Sequence, residues 1–318
     1  MRALWLDRGA LRLRDDVTAS PPPPGEVRVR VLRAGICATD LALARGYMGF
    51  VGVPGHEFVG IAQEGQFAGQ RVVGEINAAC GTCAACTRGD DRHCPHRTVL
   101  GIAGRNGAFA EQVTLPERNL LPVPQSVSTD AATFTEPLAA ALQIGTQVDL
   151  ANVERALVVG DGKLGILCAL ALQAAGVQVT VVGRHPERAT LVAPARHVVG
   201  WLDDDAPPRE RFDLAVEASG HPATLPRLLR WVRPRGTIVL KTTTEQPVSL
   251  DLATAVVDEL TLLGSRCGRF APALQALASG RVAVEGLIAA RYPLRAGEAA
   301  FSHASRRGTL KVLLDVDA

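Results

Sequence analysis

A chain of 318 residues leaves room for two domains at ~150 residues each and excludes a peptide-sized binder. Lys plus Arg number 34 against 32 Asp plus Glu, a net charge of +2, while 47% of residues are hydrophobic and 4% aromatic. So even a balance, with no Lys/Arg stripe, offers no electrostatic footprint to nucleic acid or an anionic membrane, and the expected ligand is a small molecule.

The N-terminal MRALWLDRGA has no apolar signal-like stretch, and no run of 18 apolar residues follows it. A cytoplasmic protein with reduced thiols is expected. Pro21 to Pro24 lead into Glu26-Val-Arg-Val-Arg-Val31, whose period of two predicts a strand. The first third as a whole reads as β-rich, its short apolar segments bounded by Gly or Pro.

Four of the seven cysteines then crowd together as Cys80-x2-Cys83-x2-Cys86-x7-Cys94. In a reducing compartment such a cluster points to metal rather than to disulfides. Four thiolates close a tetrahedral zinc site with no open position, so the predicted role is structural. An iron–sulfur cluster is disfavoured, because the ferredoxin-type run needs x3 before its last cysteine. His93 and His96 flank the cluster and read as exposed loop residues.

From about Ala156 the texture changes. Ala156 to Val159 and Val177 to Val182 read as buried strands on either side of a helix-like run, Leu164 to Ala175. Phe212 to Glu217 as a strand, Ala223 to Trp231 as a helix and Gly236 to Leu240 as a strand continue the alternation, which predicts a doubly wound parallel sheet. After Cys267 come a helix, Phe270 to Ala278, and a last strand, Leu310 to Val316. The expected architecture is α/β, a Rossmann domain over 141–267 inserted in a discontinuous β-rich catalytic domain formed by 1–140 and 268–318.

Gly160-Asp-Gly162-Lys163-Leu164-Gly165 lies between a strand and a helix, the context a dinucleotide fingerprint requires. The second strand ends at Gly183, 23 residues after Gly160, where NAD-binding chains place a carboxylate for the ribose 2′-hydroxyl. This chain has Gly183 followed by Arg184, His185 and Arg188. The missing acid and the added cations favour NADP over NAD, although Arg184 and Arg188 also suit a solvated helix start.

Further metal-capable groups are scattered: Cys37 in GICATD, His56 and Glu57 in PGHE, and Glu136 in TEPL. In this order, with the cysteine cluster and the glycine motif, the chain resembles the zinc-containing medium-chain alcohol dehydrogenases, in particular the polyol, threonine and sugar dehydrogenase branch. The resemblance runs to Tyr292-Pro-Leu and Leu310-Lys-Val-Leu-Leu314 and implies a GroES-like catalytic domain. It implies that Cys37 and His56 bind a catalytic zinc and that Glu57 and Glu136 are the carboxylates of that site, either of which could be the third ligand. Asp40 would orient His56, and Thr39 would relay the proton of the alcohol while hydride passes to the nicotinamide. The implied protein is a homodimer or homotetramer with one catalytic and one structural zinc, acting on a secondary alcohol, polyol or sugar-like substrate. The chain departs from the family in a clipped connection around Ile61 to Arg71 and in Ala42, where some relatives carry a relay histidine. Two rival readings remain, a zinc-free quinone or enone reductase and a catalytically idle NADPH-binding protein. The joint presence of Cys37, His56 and Glu57 argues against both.

Overall fold

Strand Glu26–Gly35 buries Val27, Val29 and Val31 on one side, as its alternation requires, and runs four residues beyond the alternating stretch. The extension exists because Arg33, Ala34 and Gly35 pair on one edge with Glu57–Ala62 and on the other with Lys311–Asp315. Such long-range pairing leaves no trace in local periodicity. A computed structural model describes residues 1–19, 21–200, 212–243 and 247–317.

The described residues form two compact units, Met1–Glu136 with Arg269–Ala318, and Pro137–Gly268. In the first, a seven-stranded sheet runs in the order Leu120–Pro122, Arg71–Gly74, Glu57–Ala62, Glu26–Gly35, Lys311–Asp315, Ile288–Pro293, and Gln112–Pro116 pairs with Glu26–Gly35. The C-terminal strand thus completes a sheet begun by the first 62 residues, and this unit is built from two separate stretches of the chain. The clipped connection is a short turn joining Glu57–Ala62 to its antiparallel neighbour Arg71–Gly74.

The second unit is a six-stranded sheet, all pairs parallel, in the order Arg196–Val199, Gln178–Gly183, Arg155–Val159, Phe212–Glu217, Val232–Leu240, Thr261–Gly264. Taken in chain order this is 3-2-1-4-5-6, the doubly wound dinucleotide-binding arrangement. Its first strand buries Ala156 to Val159 completely, and helix Lys163–Ala174 covers it with Ile166, Leu167, Ala169 and Leu172. That burial on both faces is why the strands read as unbroken apolar runs.

Candidate active site and metal centres

Cys37 stands at the start of helix Ala38–Ala44, where Asp40 Oδ2 accepts its backbone N–H at 2.8 Å. Asp40 Oδ1 accepts the N–H of Gly55 at 3.2 Å and lies 3.2 Å from His56 Nδ1. One fully buried carboxylate therefore ties together the two segments that carry Cys37 and His56. Gly55 has φ of 101°, and a Cβ there would strike the Phe109 ring, so only glycine makes the turn that presents His56. Burial disfavours a charged His56, yet the Asp40 carboxylate overrides it and holds its pKa well above the ordinary value.

Glu57 opens the next strand, and its Oε2 accepts a hydrogen bond from Lys311 Nζ. Both side chains are buried, and Gly35 leaves the space, since a Cβ there would press on Glu57 Oε2 and on the Lys311 chain. Burial works against the Lys311 charge, but Glu57 outweighs it and raises the pKa, with Cys37 adding to the effect. The opposite oxygen, Glu57 Oε1, is buried with no hydrogen-bond partner.

The ligand atoms of Cys37, His56 and Glu57 lie within 4.8 Å of one another. An orphaned carboxylate oxygen beside a thiol and an imidazole fits zinc in donor type and number. Thr39 Oγ1 sits 3.9 Å from Cys37 Sγ, at the edge of this group. Glu136 heads helix Thr135–Leu142, outside the three-residue cluster. Met48, in the short helical turn Tyr47–Gly49, and Phe50 just after it line a cavity of about 500 Å³ with Val51, Ile102, Arg105 and Asn106.

The sulfurs of Cys80, Cys83, Cys86 and Cys94 form a second group, with separations of 3.5 Å (Cys83 to Cys86), 3.6 Å (Cys94 to Cys80), 3.7 Å (Cys83 to Cys94) and 3.9 Å (Cys80 to Cys86). Zinc–sulfur bonds of ~2.3 Å at tetrahedral angles give an edge of ~3.8 Å, so the cage already has the dimensions of a four-thiolate zinc site. The backbone N–H of Thr82, followed by its hydroxyl, lowers the Cys80 thiol to about 5, whereas desolvation and the Cys83 thiol push Cys86 up to about 12. A cation among the sulfurs would favour the ionised form of Cys86. His93 and His96 are exposed as expected, although His93 closes a short helical turn, Asp91–His93, rather than lying in a loop. Cys168 is core, its thiol pushed up to about 11 by burial, while Cys267 is only half-buried.

In the glycine motif, Gly160 has φ of 117° and packs on the Ala218 carbonyl, and Gly165 lies tight against the Gly160 carbonyl. A Cβ at Gly162 would meet nothing, so that its backbone is open to a ligand at the N-terminus of helix Lys163–Ala174, where Lys163 and Leu164 are half-buried. Two expectations on the nucleotide side are corrected. Arg188 is not a solvated cation free to meet a phosphate: it is 4% exposed, and its Nη1 donates to the Asp161 carbonyl at 2.5 Å. Nor does Gly183 leave the strand end without an acid, because the Asp161 carboxylate fills the space beside it. Arg184 remains exposed.

Asp161 and Lys311 are the residues that sequence reasoning missed. Each carried a signal: an acid inside the glycine motif opposite a strand end lacking one, and a lysine heading the apolar run Val312 to Leu314.

Comparison with known proteins agrees with this geometry. Residues 23–125 match the alcohol dehydrogenase GroES-like domain, and residues 164–280 match the zinc-binding dehydrogenase domain. L-threonine 3-dehydrogenase of Streptomyces avermitilis is 32% identical, with 94% of each chain covered. An Escherichia coli alcohol dehydrogenase solved with NADH and a Sinorhizobium meliloti zinc-binding dehydrogenase solved with NADP each superpose with a TM-score of 0.90, 25% identity and 99% of both chains covered. The fold and the two donor clusters define a zinc-dependent, NAD(P)-dependent dehydrogenase. The chain belongs to the zinc-containing medium-chain alcohol dehydrogenase family, in its threonine and polyol dehydrogenase-like branch.

Proposed function

We propose that the protein oxidises a secondary alcohol, polyol or sugar-like substrate, or reduces the matching carbonyl, with a nicotinamide dinucleotide as hydride partner. The convergence of Cys37, His56 and Glu57 beside the Thr39 hydroxyl carries this reading. When bound, zinc supplies the Lewis acidity that lowers the pKa of an alcohol, and the nicotinamide supplies the hydride acceptor. Cys37 and His56 hold the metal, and Glu57 is assigned as third ligand because its Oε1 is buried without a partner. Lys311 fixes the other oxygen of Glu57 and so aims it, which leaves Glu136 as the supporting carboxylate. Asp40 orients His56, and Thr39 relays the alcohol proton, its Oγ1 accepting that proton while it passes its own towards solvent. Of the residues behind the NADP(H) preference expected from the sequence only Arg184 stays exposed, and the Asp161 carboxylate bound to its backbone N–H weighs against that preference.

A screen of polyols, sugars, secondary alcohols and L-threonine with NAD and NADP tests this reading. Turnover that is lost on chelation and restored by zinc is the expected result. Nucleotide binding without any turnover, or activity indifferent to chelation, would favour the idle and zinc-free readings. Thr39→Ala should slow the reaction by roughly 10²–10⁴, the usual worth of positioned proton transfer, while Thr39→Ser keeps most of the rate. Full activity in Thr39→Ala would assign the proton to water.

A homodimer or homotetramer is the proposed assembly. Among the described residues strand Thr261–Gly264 ends the six-stranded order with Leu262 exposed, and Leu252, Val256 and Val257 nearby in sequence are 63%, 74% and 80% exposed. An unpaired edge with apolar side chains is a template for pairing with a second copy. Val256→Asp combined with Leu262→Lys should convert the oligomer to monomer in light scattering, and a wild-type monomer would sink the idea. The reduced-thiol chemistry of the cysteine cage supports a cytoplasmic location; no helix among the described residues is long and apolar enough to cross a membrane.

A further inference from the structure

We infer that Asp161, from inside the glycine motif, is the acid that reads the adenosine ribose, and that it makes this protein prefer NAD(H) over NADP(H). The inference rests on dinucleotide binding by the Rossmann unit and is independent of which alcohol is oxidised.

The second strand ends at Gly183, whose missing side chain looks like the removal of a ribose-binding carboxylate. Yet the space is filled. A Cβ on Gly183 would fall on the Asp161 carboxylate, so the two positions exchange roles: the strand gives up its side chain and the preceding loop supplies the acid. Three donors fix that acid. Asp161 Oδ2 accepts the backbone N–H groups of Arg184 at 2.9 Å and His185 at 2.8 Å, and Oδ1 pairs with His185 Nδ1 at 2.9 Å. Arg188 Nη1 and His197 Nε2 stand farther off, both at 3.5 Å. A carboxylate offers about four lone-pair positions, so Oδ1 retains one for a hydroxyl.

Charge points the same way. Asp161 is 5% exposed, and burial by itself would raise its pKa, but the hydrogen bonds from His185 outweigh this and hold it below the usual carboxylate range. An ionised, preorganised carboxylate accepts from a 2′-hydroxyl and repels a 2′-phosphate, which carries up to two negative charges. The cations that would answer that phosphate are engaged already, since Arg188 and His185 are both bound to Asp161. Arg184 alone is exposed, and it adjoins a fixed negative charge.

The test is a fluorescence titration of the zinc-loaded protein with NADH and with NADPH, which needs no substrate and is unaffected if the proposed alcohol chemistry is wrong. Wild type should bind NADH at least about tenfold more tightly than NADPH, the scale of one charge-assisted hydrogen bond. Asp161→Asn keeps the shape, removes the charge, and should bring the two affinities within about threefold. Asp161→Ser provides a second reading should the asparagine variant fold poorly. Gly183→Asp is no substitute for these variants, because its side chain has no room. Tighter binding of NADPH by wild type would overturn the inference. So would a ratio unchanged in both variants, since an Asp161 that merely braced the strand end would weaken both nucleotides alike.

Discussion

Cys94→Ser should cost the protein one of two zinc ions per chain and unfold the segment around residues 80–97, with a clear fall in melting temperature. The reason lies in how little else holds that segment. Between Cys80 and His96 the sole buried residue is Cys94 itself, and the two short helical turns, Ala84–Thr87 and Asp91–His93, bury nothing. A segment without an apolar core needs a metal in its place. In zinc-finger peptides structural zinc contributes ~10–16 kcal/mol at neutral pH, as much as a whole domain's net stability of ~5–15 kcal/mol. The effect should be local at first. Asp91 pairs with Arg269 at 2.6 Å, and the Ala79 carbonyl accepts from Arg118 at 2.5 Å, so the ends of the lobe stay fastened to a folded unit. Elemental analysis together with hydrogen exchange on the 80–97 amides reads the result. A variant that kept both zinc ions and full amide protection would end the four-thiolate assignment.

Much of this molecule was legible because its sequence and its packing agree. Phe212–Glu217 and Phe270–Ala278 have the bounds that their apolar patterns predict, and the Gly160 motif opens a helix one residue earlier than expected. The cysteine cage could be read because few arrangements other than a metal site place four cysteines so close, whereas GICATD and PGHE became a single site only through the family resemblance. What escaped were relations between distant residues. Arg33 to Gly35 are strand because the last strand of the chain comes back to pair with them. Lys311 shows no chemistry until it lies against Glu57, 254 positions away. Asp161 is a variable position in the glycine motif, and its meaning comes from the empty Cβ position of Gly183. Local pattern gives elements and donor sets; the partner of a buried charge is a tertiary fact.

His56→Ala should reduce turnover to background while leaving NADH affinity within about twofold of wild type. His56 is 3% exposed and lies in the Met1–Glu136 part of the first unit, whereas the glycine motif belongs wholly to Pro137–Gly268. Removing the imidazole leaves Cys37 and Glu57, and two protein donors fall short of the three that a catalytic zinc requires. The deletion also deprives Asp40 of its buried partner, so some loss of stability should accompany the loss of rate. Asp40→Asn separates these contributions. It keeps an oxygen near His56 and Gly55 but lowers the basicity imposed on the imidazole, so zinc affinity should fall by roughly 10–100-fold, the usual cost of losing a ligand's outer partner. Activity in that variant should return as zinc is raised, whereas in His56→Ala no zinc concentration should restore it. Rescue of His56→Ala by zinc alone would mean that the metal is held elsewhere. Unchanged turnover in the same variant would remove the zinc site from the chemistry altogether.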